Sequence, residues 1–408
     1  MQKKLIALAV AGLASTGAFA QSNVTVYGVA DATFDVVKVG GDAKNDLGNT
    51  TRVSTNSSYI GFKGAEALGN GLTAVFQLES GVGFDNNGSF GATRDSFVGV
   101  SSGFGTIVMG KLTGPTRALG GAVDVNSGAT GIGSNGALIG KLGGYLTSSG
   151  VGATGALPSG IAGTTGTDST AVTTQCKAST TCVSLFDDRW TNAIAYVSPT
   201  FYGLSGTFAY VANENKNFQG GAKANTTGFD AGLKYANGPI MAAVTYNAVS
   251  LGNAANTDVS DFRVGATYDF GVASIRALFD RARADHVSAL GGKVTQNVFG
   301  LGGTFNVTPA GKLLAQAYFA NDLKIDGSSS GSKDSGAKLF EVGYEHSLSK
   351  RTILKAVYAH LNNDKNASYD FGINAVGTNA AALGSPAAGL STTGATVQGI
   401  QLGLRHSF

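Results

Sequence analysis

The sequence predicts an all-β fold, a 16-stranded antiparallel transmembrane β-barrel, and three observations lead to this prediction. Short segments in which apolar and polar residues alternate recur from Val24 to Phe408, as in strands that have one apolar face. The connections between these segments fall into a short and a long class. Charged residues form only 13% of the chain, and glycine occurs 61 times. About a quarter of a typical soluble domain is charged, so the composition favours an exported β-protein over a soluble enzyme.

The first twenty residues have the pattern of a secretory signal peptide. Lys3 and Lys4 precede the apolar run 5–13, and Ala18-Phe19-Ala20 fits the small-residue pattern of a cleavage site before Gln21. The alternative, a membrane anchor, is less favoured because the run is too short to span a bilayer. We therefore expect residues 1–20 to be removed and 21–408 to form a single β-barrel domain.

The alternation is clearest in three segments, 229–236, 261–270 and 339–346. In 261–270, for example, Phe262, Val264 and Tyr268 share one parity, and Asp261, Arg263 and Thr267 share the other. A helix would scatter these two sets around its circumference, whereas a strand separates them. The predicted strands are 24–36, 54–65, 72–83, 92–101, 106–112, 188–198, 204–213, 227–237, 240–250, 259–269, 272–283, 295–306, 312–322, 337–347, 351–361 and 396–408.

The lengths of the connections predict two different rims. Short turns are expected at 66–71, 102–105, 199–203, 238–239, 270–271, 307–311 and 348–350, and long polar loops at 37–53, 113–187, 214–226, 284–294, 323–336 and 362–395. A basic side chain on the lipid face at mid-depth costs about 2–4 kcal/mol, so Arg263 and Lys234 should face a wet interior. Closure removes the sheet edges, and sixteen strands are wide enough for an aqueous channel.

Several motifs fit this fold better than they fit catalysis or nucleotide binding. Residues 131–136 match G-x-G-x-x-G without a following helix, and 99–103 match G-x-S-x-G in a turn between two strands. The four histidines, His286, His346, His360 and His406, lack metal-ligand spacing. A formal net charge of +3 gives no support for nucleic-acid binding. A barrel hydrolase that uses His346 or His360 remains as an alternative, and we expect no cofactor and no metal.

The two cysteines, Cys176 and Cys182, lie in the longest connection. An even number of cysteines in an exported protein favours a disulfide. Two free thiols remain the alternative, and a metal site is disfavoured because further soft ligands are distant in sequence.

Several stretches resemble the trimeric general porins of Gram-negative outer membranes. They are 24–28 (VTVYG), 61–72 (GFKGAEALGNGL), 76–81 (FQLESG), 97–105 (FVGVSSGFG), 196–199 (YVSP) and 403–408 (GLRHSF). The resemblance implies a sixteen-stranded barrel, a homotrimer, and a loop between strands five and six, here 113–187, that folds inward and narrows the pore. It also implies that the barrel assembly machinery reads the terminal Phe408. A general diffusion channel would sit among outer-membrane lipid and lipopolysaccharide and pass small hydrophilic solutes and ions.

The resemblance also assigns residues to the constriction. Arg94 and Arg189 match positions of the basic ladder on the wall, and Lys111 takes a position that is often arginine. Tyr59 replaces a ladder residue but should still point inward. We expect Arg117 and Asp124, on the loop itself, to line the pore as well. The sparse loop charge predicts modest ion selectivity without assigning its sign.

Two further expectations concern the loop and the outer surface. Residues 113 to about 150 should lie inside the barrel, with the remainder and the cysteines at the extracellular rim. Small residues on the lipid side of the first strand, Gly28, Ala30 and Ala32, suggest a subunit contact, although lipid contact would also suit them. Within transport, a substrate-selective channel, for sugars for instance, is the alternative function, and it would need a row of inward aromatics.

Overall fold

The computed structural model describes residues 23–41, 48–85, 91–142, 185–212, 217–219, 222–224, 227–250, 258–287, 292–326, 333–367, 369–376 and 394–408. Its strands are β1 Asn23–Gly40, β2 Gly48–Thr55, β3 Tyr59–Gly69, β4 Leu72–Gly81, β5 Ser96–Ser102, β6 Gly105–Leu112, β7 Trp190–Val197, β8 Leu204–Val211, β9 Asn217–Gln219, β10 Ala222–Ala224, β11 Thr227–Asn237, β12 Ile240–Ser250, β13 Asp258–Asp269, β14 Ala273–Val287, β15 Gly292–Asn306, β16 Gly311–Ala320, β17 Lys324–Ile325, β18 Ala337–Ser347, β19 Thr352–Asn363 and β20 Thr396–Ser407. Helix α1 spans Pro115–Val123, and 3₁₀ turns span Asn135–Ala137 and Leu185–Asp187.

These strands form one closed antiparallel barrel. β2 and β3 continue one another along β1, β17 extends the path of β16 beside β15, and β9 and β10 form a separate hairpin, so sixteen strands make up the wall. The first strand pairs with the last over Val29–Gly40 and with β3 over Asn23–Val29. This double pairing leaves no open edge, and it confirms the predicted fold.

Side-chain alternation separates a lipid face from a lumen face. On β13, Phe262, Val264 and Tyr268 are 37–42% exposed on the outside, while Asp261 and Arg263 are buried on the inside. The outer surface is thus apolar although it is exposed, as a bilayer requires. No helix in the described part of the chain is long and apolar enough to cross a membrane.

Two of the expected long loops are largely strand. Residues 37–40 and 48–53 belong to β1 and β2, and 284–287 and 292–294 belong to β14 and β15. Alternation continues through these segments, with Asp35, Val37 and Val39 all buried on the inner side of β1. The walls therefore rise further on the long-loop side than the sequence pattern predicted.

Helix α1 lies in the connection after β6 and packs against β11, β12, β13 and β14 on the far side of the barrel. Pro115 follows the N-cap Gly114, and proline suits the first helical turn because its fixed φ matches a helix. The buried Leu119 and Val123 of α1 join a core with inward residues of the wall, including Leu278. A part of the barrel interior is therefore a packed core.

Candidate functional site

The described part of the connection after β6, residues 113–142, contacts inward-facing side chains around the wall. Thr116 donates its hydroxyl to Asp230 Oδ1 at 2.7 Å, and Ser127 donates its hydroxyl to Glu345 Oε2 at 2.7 Å. The amide of Gly140 donates to Asp280 Oδ2 at 2.9 Å. These bonds join the segment to β11, β18 and β14, so the segment crosses the lumen. We call residues 113–142 the inner segment.

Arg263 is the most deeply buried of the wall's anchors. Its guanidinium donates to Asp280 Oδ1 at 2.7 Å, to Asp187 at 2.8 and 3.1 Å, and to the carbonyl oxygen of Thr116 at 3.0 Å. Its side chain is 0% exposed. The expectation that Arg263 faces a wet interior is therefore wrong, because both ends of the long connection cover it. Lys234, on the lumen parity of β11, is exposed.

Asp124 ends α1 and acts as an internal anchor. Its carboxylate accepts from the amides of Asn126 and Asn135 at 2.8 and 2.7 Å, and its carbonyl oxygen accepts from Arg276. Burial raises the pKa of Asp124, although these donors oppose the shift. Because the residue is 1% exposed, its carboxylate does not face open water, in contrast to the expectation that it lines the pore.

The wall opposite the inner segment carries a row of basic and aromatic groups. The Arg94 guanidinium lies over the Tyr59 ring, 4.5 Å from its centroid, and Arg94 Nε is 3.4 Å from Glu79 Oε2. Tyr27 donates its hydroxyl to Glu79 Oε1 at 2.8 Å, and the Lys63 ammonium lies 4.8 Å from the Tyr27 ring. Tyr59 thus points inward as expected. Tyr27 is a second inward aromatic, and its shared parity with Asp31 on β1 could have revealed it.

Next to this row stand the other predicted basic residues. Arg189 Nε donates to Asp95 Oδ2 at 3.0 Å, and Asp95 also accepts from Thr113 at the start of the inner segment. Arg117, on α1, has its pKa lowered to about 10 by burial and by the charge of Arg189. Arg189 therefore lies within electrostatic reach of Arg94, Lys111 and Arg117, and Asp188 lies within reach of Lys111 and Arg117.

A further basic group, which the sequence reasoning missed, lies where the barrel closes. Arg405 and Lys355 both pair with the buried Asp31, at 3.0 and 2.6 Å. Gly128 of the inner segment lies against Arg405, and a Cβ there would come within 2.7 Å of the guanidinium carbon. The absence of a side chain at 128 lets the segment pass close to this arginine.

A second segment, residues 369–376 after β19, also enters the barrel. Tyr369 and Phe371 are at most 1% exposed, and Arg52 donates to the carbonyl oxygens of Asn374 and Ala375. Gly372 lies against the backbone of Gly136 in the inner segment. The sequence reasoning placed this stretch in a polar loop, although the apolar residues of Tyr369-Asp-Phe-Gly-Ile373 were a usable signal.

Phe408 closes the seam between the two chain ends. Its amide donates to the carbonyl oxygen of Gly28, and the Gly28 amide donates to Phe408 O, both at 3.1 Å. The ring covers Gly28, where a Cβ would lie 2.5 Å from Phe408 Cζ. Gly28 is one of the three small residues noted on this strand. The space beside it is therefore filled by Phe408 of the same chain.

Comparison with known proteins fits this geometry. The chain matches the family model described as Gram-negative porin over residues 7–366. It is 32% identical to outer membrane porin protein 32 of Delftia acidovorans, with all of both chains covered. The chain belongs to the Gram-negative porin family. It is a passive channel of the Gram-negative outer membrane.

Two other relatives extend the comparison. A major outer membrane protein P.IB of Neisseria gonorrhoeae is 38% identical over 30% of this porin and 36% of its own length. The solved anion-selective porin from Comamonas acidovorans superposes with a TM-score of 0.70 at 27% identity, covering 95% of this porin and all of that chain.

The remaining predicted sites are distributed as follows. The predicted signal peptide, residues 1–20, lies outside the described residues. The larger part of the long connection, 143–184, also lies outside them, and it includes Cys176 and Cys182. His346 Nδ1 lies 3.1 Å from Tyr344 Oη, and His406 Nδ1 lies 2.9 Å from Thr352 Oγ1. Within the described ranges, no group of three or more His, Cys, Asp or Glu residues has the geometry to hold a metal ion.

Proposed function

We propose that this porin passes small anions more readily than cations, through a constriction between the inner segment and the wall of β1 and β3–β7. The observation that carries the proposal is the state of Arg117 and Lys111. Among the described residues, neither side chain forms an ion pair, although the charge of Asp188 acts on both from a longer distance. An unpaired cation beside the lumen attracts anions and repels cations.

The paired groups add to this field. In two pairs the basic partner is the more exposed, with Arg94 at 20% against 8% for Glu79, and Arg405 at 15% against 0% for Asp31. In the pairs Arg189–Asp95, at 10% and 18%, and Arg263–Asp187, at 0% and 10%, the acidic partner is the more exposed. The pairs at Arg94 and Arg405 therefore present mainly basic surface to a passing ion. The relative from Comamonas acidovorans is an anion-selective porin, and its selectivity has the same sign.

Exchanging Arg94 and Arg189 for Glu tests the proposal. Zero-current potentials across planar bilayers under a salt gradient should shift toward cation preference, because two positive charges become negative. Arg351→Glu, at an exposed turn on the short-turn rim, is the matched control. A double variant whose potential equals that of the control would show that these arginines do not line the ion path.

The aromatic pair favours general diffusion over a sugar-selective channel. Tyr27 and Tyr59 meet edge to face with their centroids 6.1 Å apart, and Lys63 and Arg94 cover their faces. The ring face that each cation covers is not available to stack on a sugar. We therefore infer conductance that is not blocked by millimolar sugars, and saturable block would support the alternative.

We further infer that the porin acts as a homotrimer in contact with outer-membrane lipid and lipopolysaccharide. The exposed tyrosines among the described residues all lie between Tyr196 and Tyr358, on β7–β19. Aromatic girdles mark lipid-facing surface, whereas β1–β6 expose mainly aliphatic residues such as Val26, Leu78 and Met109. The β1–β6 face is thus the better candidate for the subunit contact. Cysteine pairs across this face should crosslink trimers, and pairs on β12 should not.

We also infer that the porin is not an enzyme. His346 contacts Tyr344, and His360 contacts Tyr358 and Gln398. None of these contacts is the base–carboxylate pairing that a hydrolase uses to orient its histidine. Purified protein should leave lipid and peptide esters intact, and activity lost in His346→Ala would support the hydrolase alternative.

A further inference from the structure

The lipid-facing surface of β14–β18 changes from apolar to basic toward the long-loop rim. On β14 the outward residue Phe279 is followed, on the same parity, by Arg281 and Arg283. On β18 the outward residue Phe340 is 44% exposed, and Lys338 is the next outward residue toward the same rim. Both strands thus place a basic side chain directly beyond their last outward aromatic ring.

A row of phenylalanine rings lies just below these basic residues. Phe279 is paired in register with Phe299, and Phe299 is paired with Phe319. The ring centroids of Phe279 and Phe299 are 5.2 Å apart, and those of Phe319 and Phe340 are 5.6 Å apart. Aromatic rings flank the apolar band of outer-membrane barrels at both interfaces. The row therefore marks the upper edge of the surface that faces acyl chains.

The height of the basic residues agrees with this boundary. Arg281 lies eight residues beyond Ala273, where β14 starts at the short-turn rim. A strand tilted by about 40° gains roughly 2.5 Å of height per residue, so Arg281 stands about 20 Å above that rim and Arg283 about 25 Å above it. The apolar band of such barrels is about 25 Å tall. Long basic side chains at this height reach the headgroups of the outer leaflet.

These basic groups have few counter-charges. In the part of the chain that the structure describes, Arg281, Lys324 and Lys338 are exposed and form no ion pair. Arg283 pairs with Asp285 at 2.7 Å. The backbones of Arg283 and Lys324 lie two strand spacings apart, about 10 Å, because both residues are in register with β15 at one position, 295. Side chains of this length can converge on one phosphate group.

The carboxylates of the same surface lie closer to the long-loop rim. Asp285 is in register with Asp258, and both lie beyond Arg283 in that direction. Asp326 lies beyond Lys324 and is exposed. The level next to the phenylalanine rings is therefore basic, and the acidic groups stand one step higher. A molecule that fits this surface has an apolar part and carries negative charge directly above it.

We propose that Arg281, Arg283, Lys324 and Lys338 bind the phosphate groups of lipopolysaccharide, the phosphorylated glycolipid of the outer leaflet. The proposal rests on the lipid contact inferred above and gives that contact a place on the barrel. The acyl chains lie along the phenylalanine row, and the phosphates accept hydrogen bonds from the guanidinium and ammonium groups. The β14–β18 surface is separate from the β1–β6 face, so it stays open to lipid in a trimer.

The double variant Arg281→Gln/Lys338→Gln tests this site, and Lys350→Gln/Arg351→Gln is the matched control. Lys350 and Arg351 are exposed at the short-turn rim, which faces the periplasm in such barrels. Full-length porin, washed free of bound lipid in detergent, is titrated with purified lipopolysaccharide in the presence of a chelator. Heat-modifiable migration on gels checks that each variant is folded.

Each basic residue beside an anionic lipid surface contributes about fivefold in affinity. The double variant should therefore bind lipopolysaccharide about 30-fold more weakly than wild type, and the control should bind as wild type does. Lipopolysaccharide from which the phosphates have been removed should bind wild type as weakly as intact lipopolysaccharide binds the double variant. The zero-current potential of the double variant should equal that of wild type, because these residues lie outside the lumen.

Three results would overturn the proposal. Equal affinity of wild type and the double variant would place the lipid elsewhere on the barrel. Phosphatidylglycerol that binds as tightly as lipopolysaccharide would make the surface a general one for anionic lipid. Binding that the chelator abolishes would assign the lipid to metal bridges at carboxylates such as Asp258 and Asp285. The inferred lipid contact itself fails only if wild type binds no lipopolysaccharide with or without the chelator.

Discussion

Arg117→Glu is the most direct perturbation of ion selectivity that this porin offers. Arg117 lies on α1 in the inner segment and has no ion pair among the described residues, so its substitution breaks no observed contact. Its pKa, lowered to about 10 by burial and by Arg189, leaves it charged at pH 7. The substitution therefore changes the charge at one point of the constriction by two units.

The size of the effect follows from Coulomb's law with screening. For an ion passing about 5 Å away in water, two unit charges contribute about 1.7 kcal/mol, which a Debye length of about 10 Å at 0.1 M salt reduces to about 1 kcal/mol. The barrier rises for anions and falls for cations by this amount. The ratio of anion to cation permeability should therefore fall roughly 30-fold at 0.1 M, and only about threefold at 1 M, where the Debye length is about 3 Å.

The assay is the zero-current potential of single channels in gradients centred on 0.1 M and on 1 M salt. Arg351→Glu carries the same charge change at the short-turn rim and should shift the potential much less. A shift of equal size at both salt concentrations would refute the reasoning, because salt screens the electrostatic potential of residue 117 and should reduce its effect on permeating ions. No shift at 0.1 M would remove Arg117 from the ion path.

Three other variants test the remaining contacts. Deleting Phe408 removes its two backbone hydrogen bonds to Gly28 and the ring that covers it, so the yield of heat-modifiable trimer on gels should fall, and unchanged trimer would contradict this. Because burial raises the pKa of Asp124, wild-type stability should fall by up to about 1.4 kcal/mol per pH unit as pH rises from the unfolded to the folded pKa. Asp124→Asn should lack this pH dependence when melting temperatures are measured from pH 4 to 9. If the melting temperatures of the two proteins change with pH in parallel, the prediction is wrong. Arg52→Ala removes the two hydrogen bonds that Arg52 donates to residues 369–376, so single-channel conductance should rise or fluctuate more, and identical traces would show that this segment does not narrow the path.

The wall could be predicted from the sequence because its physics is local. Alternation on β13, with Phe262 outside and Asp261 inside, needs only the geometry of one strand and the cost of placing charge in lipid. The same reasoning missed the upper ends of β1 and β14, where it interpreted alternating residues as loop. Strand ends are set by pairing with neighbours, and a single sequence does not contain that pairing.

The lumen was harder to predict because its contacts join residues far apart in the chain. Arg263 looked like a wet pore residue until Asp187, 76 positions earlier, was found to cover it. Asp124 looked like a pore carboxylate, and it serves instead to fold its own loop onto Asn126 and Asn135. In both cases an inward charge could be predicted, but whether it meets water or a loop depends on tertiary packing.

The seam between β1 and β20 has a consequence for how the porin is made. The strand at one end of the chain finds a partner in the strand at the other end, over Val29–Gly40 and Thr396–Ser407. Until β20 has been synthesised, the edge of β1 that pairs with it has no partner, and the barrel cannot close. Contacts of such large sequence separation form slowly. We therefore expect the chain to be exported before it folds, which makes the interval between synthesis and insertion the stage most exposed to aggregation.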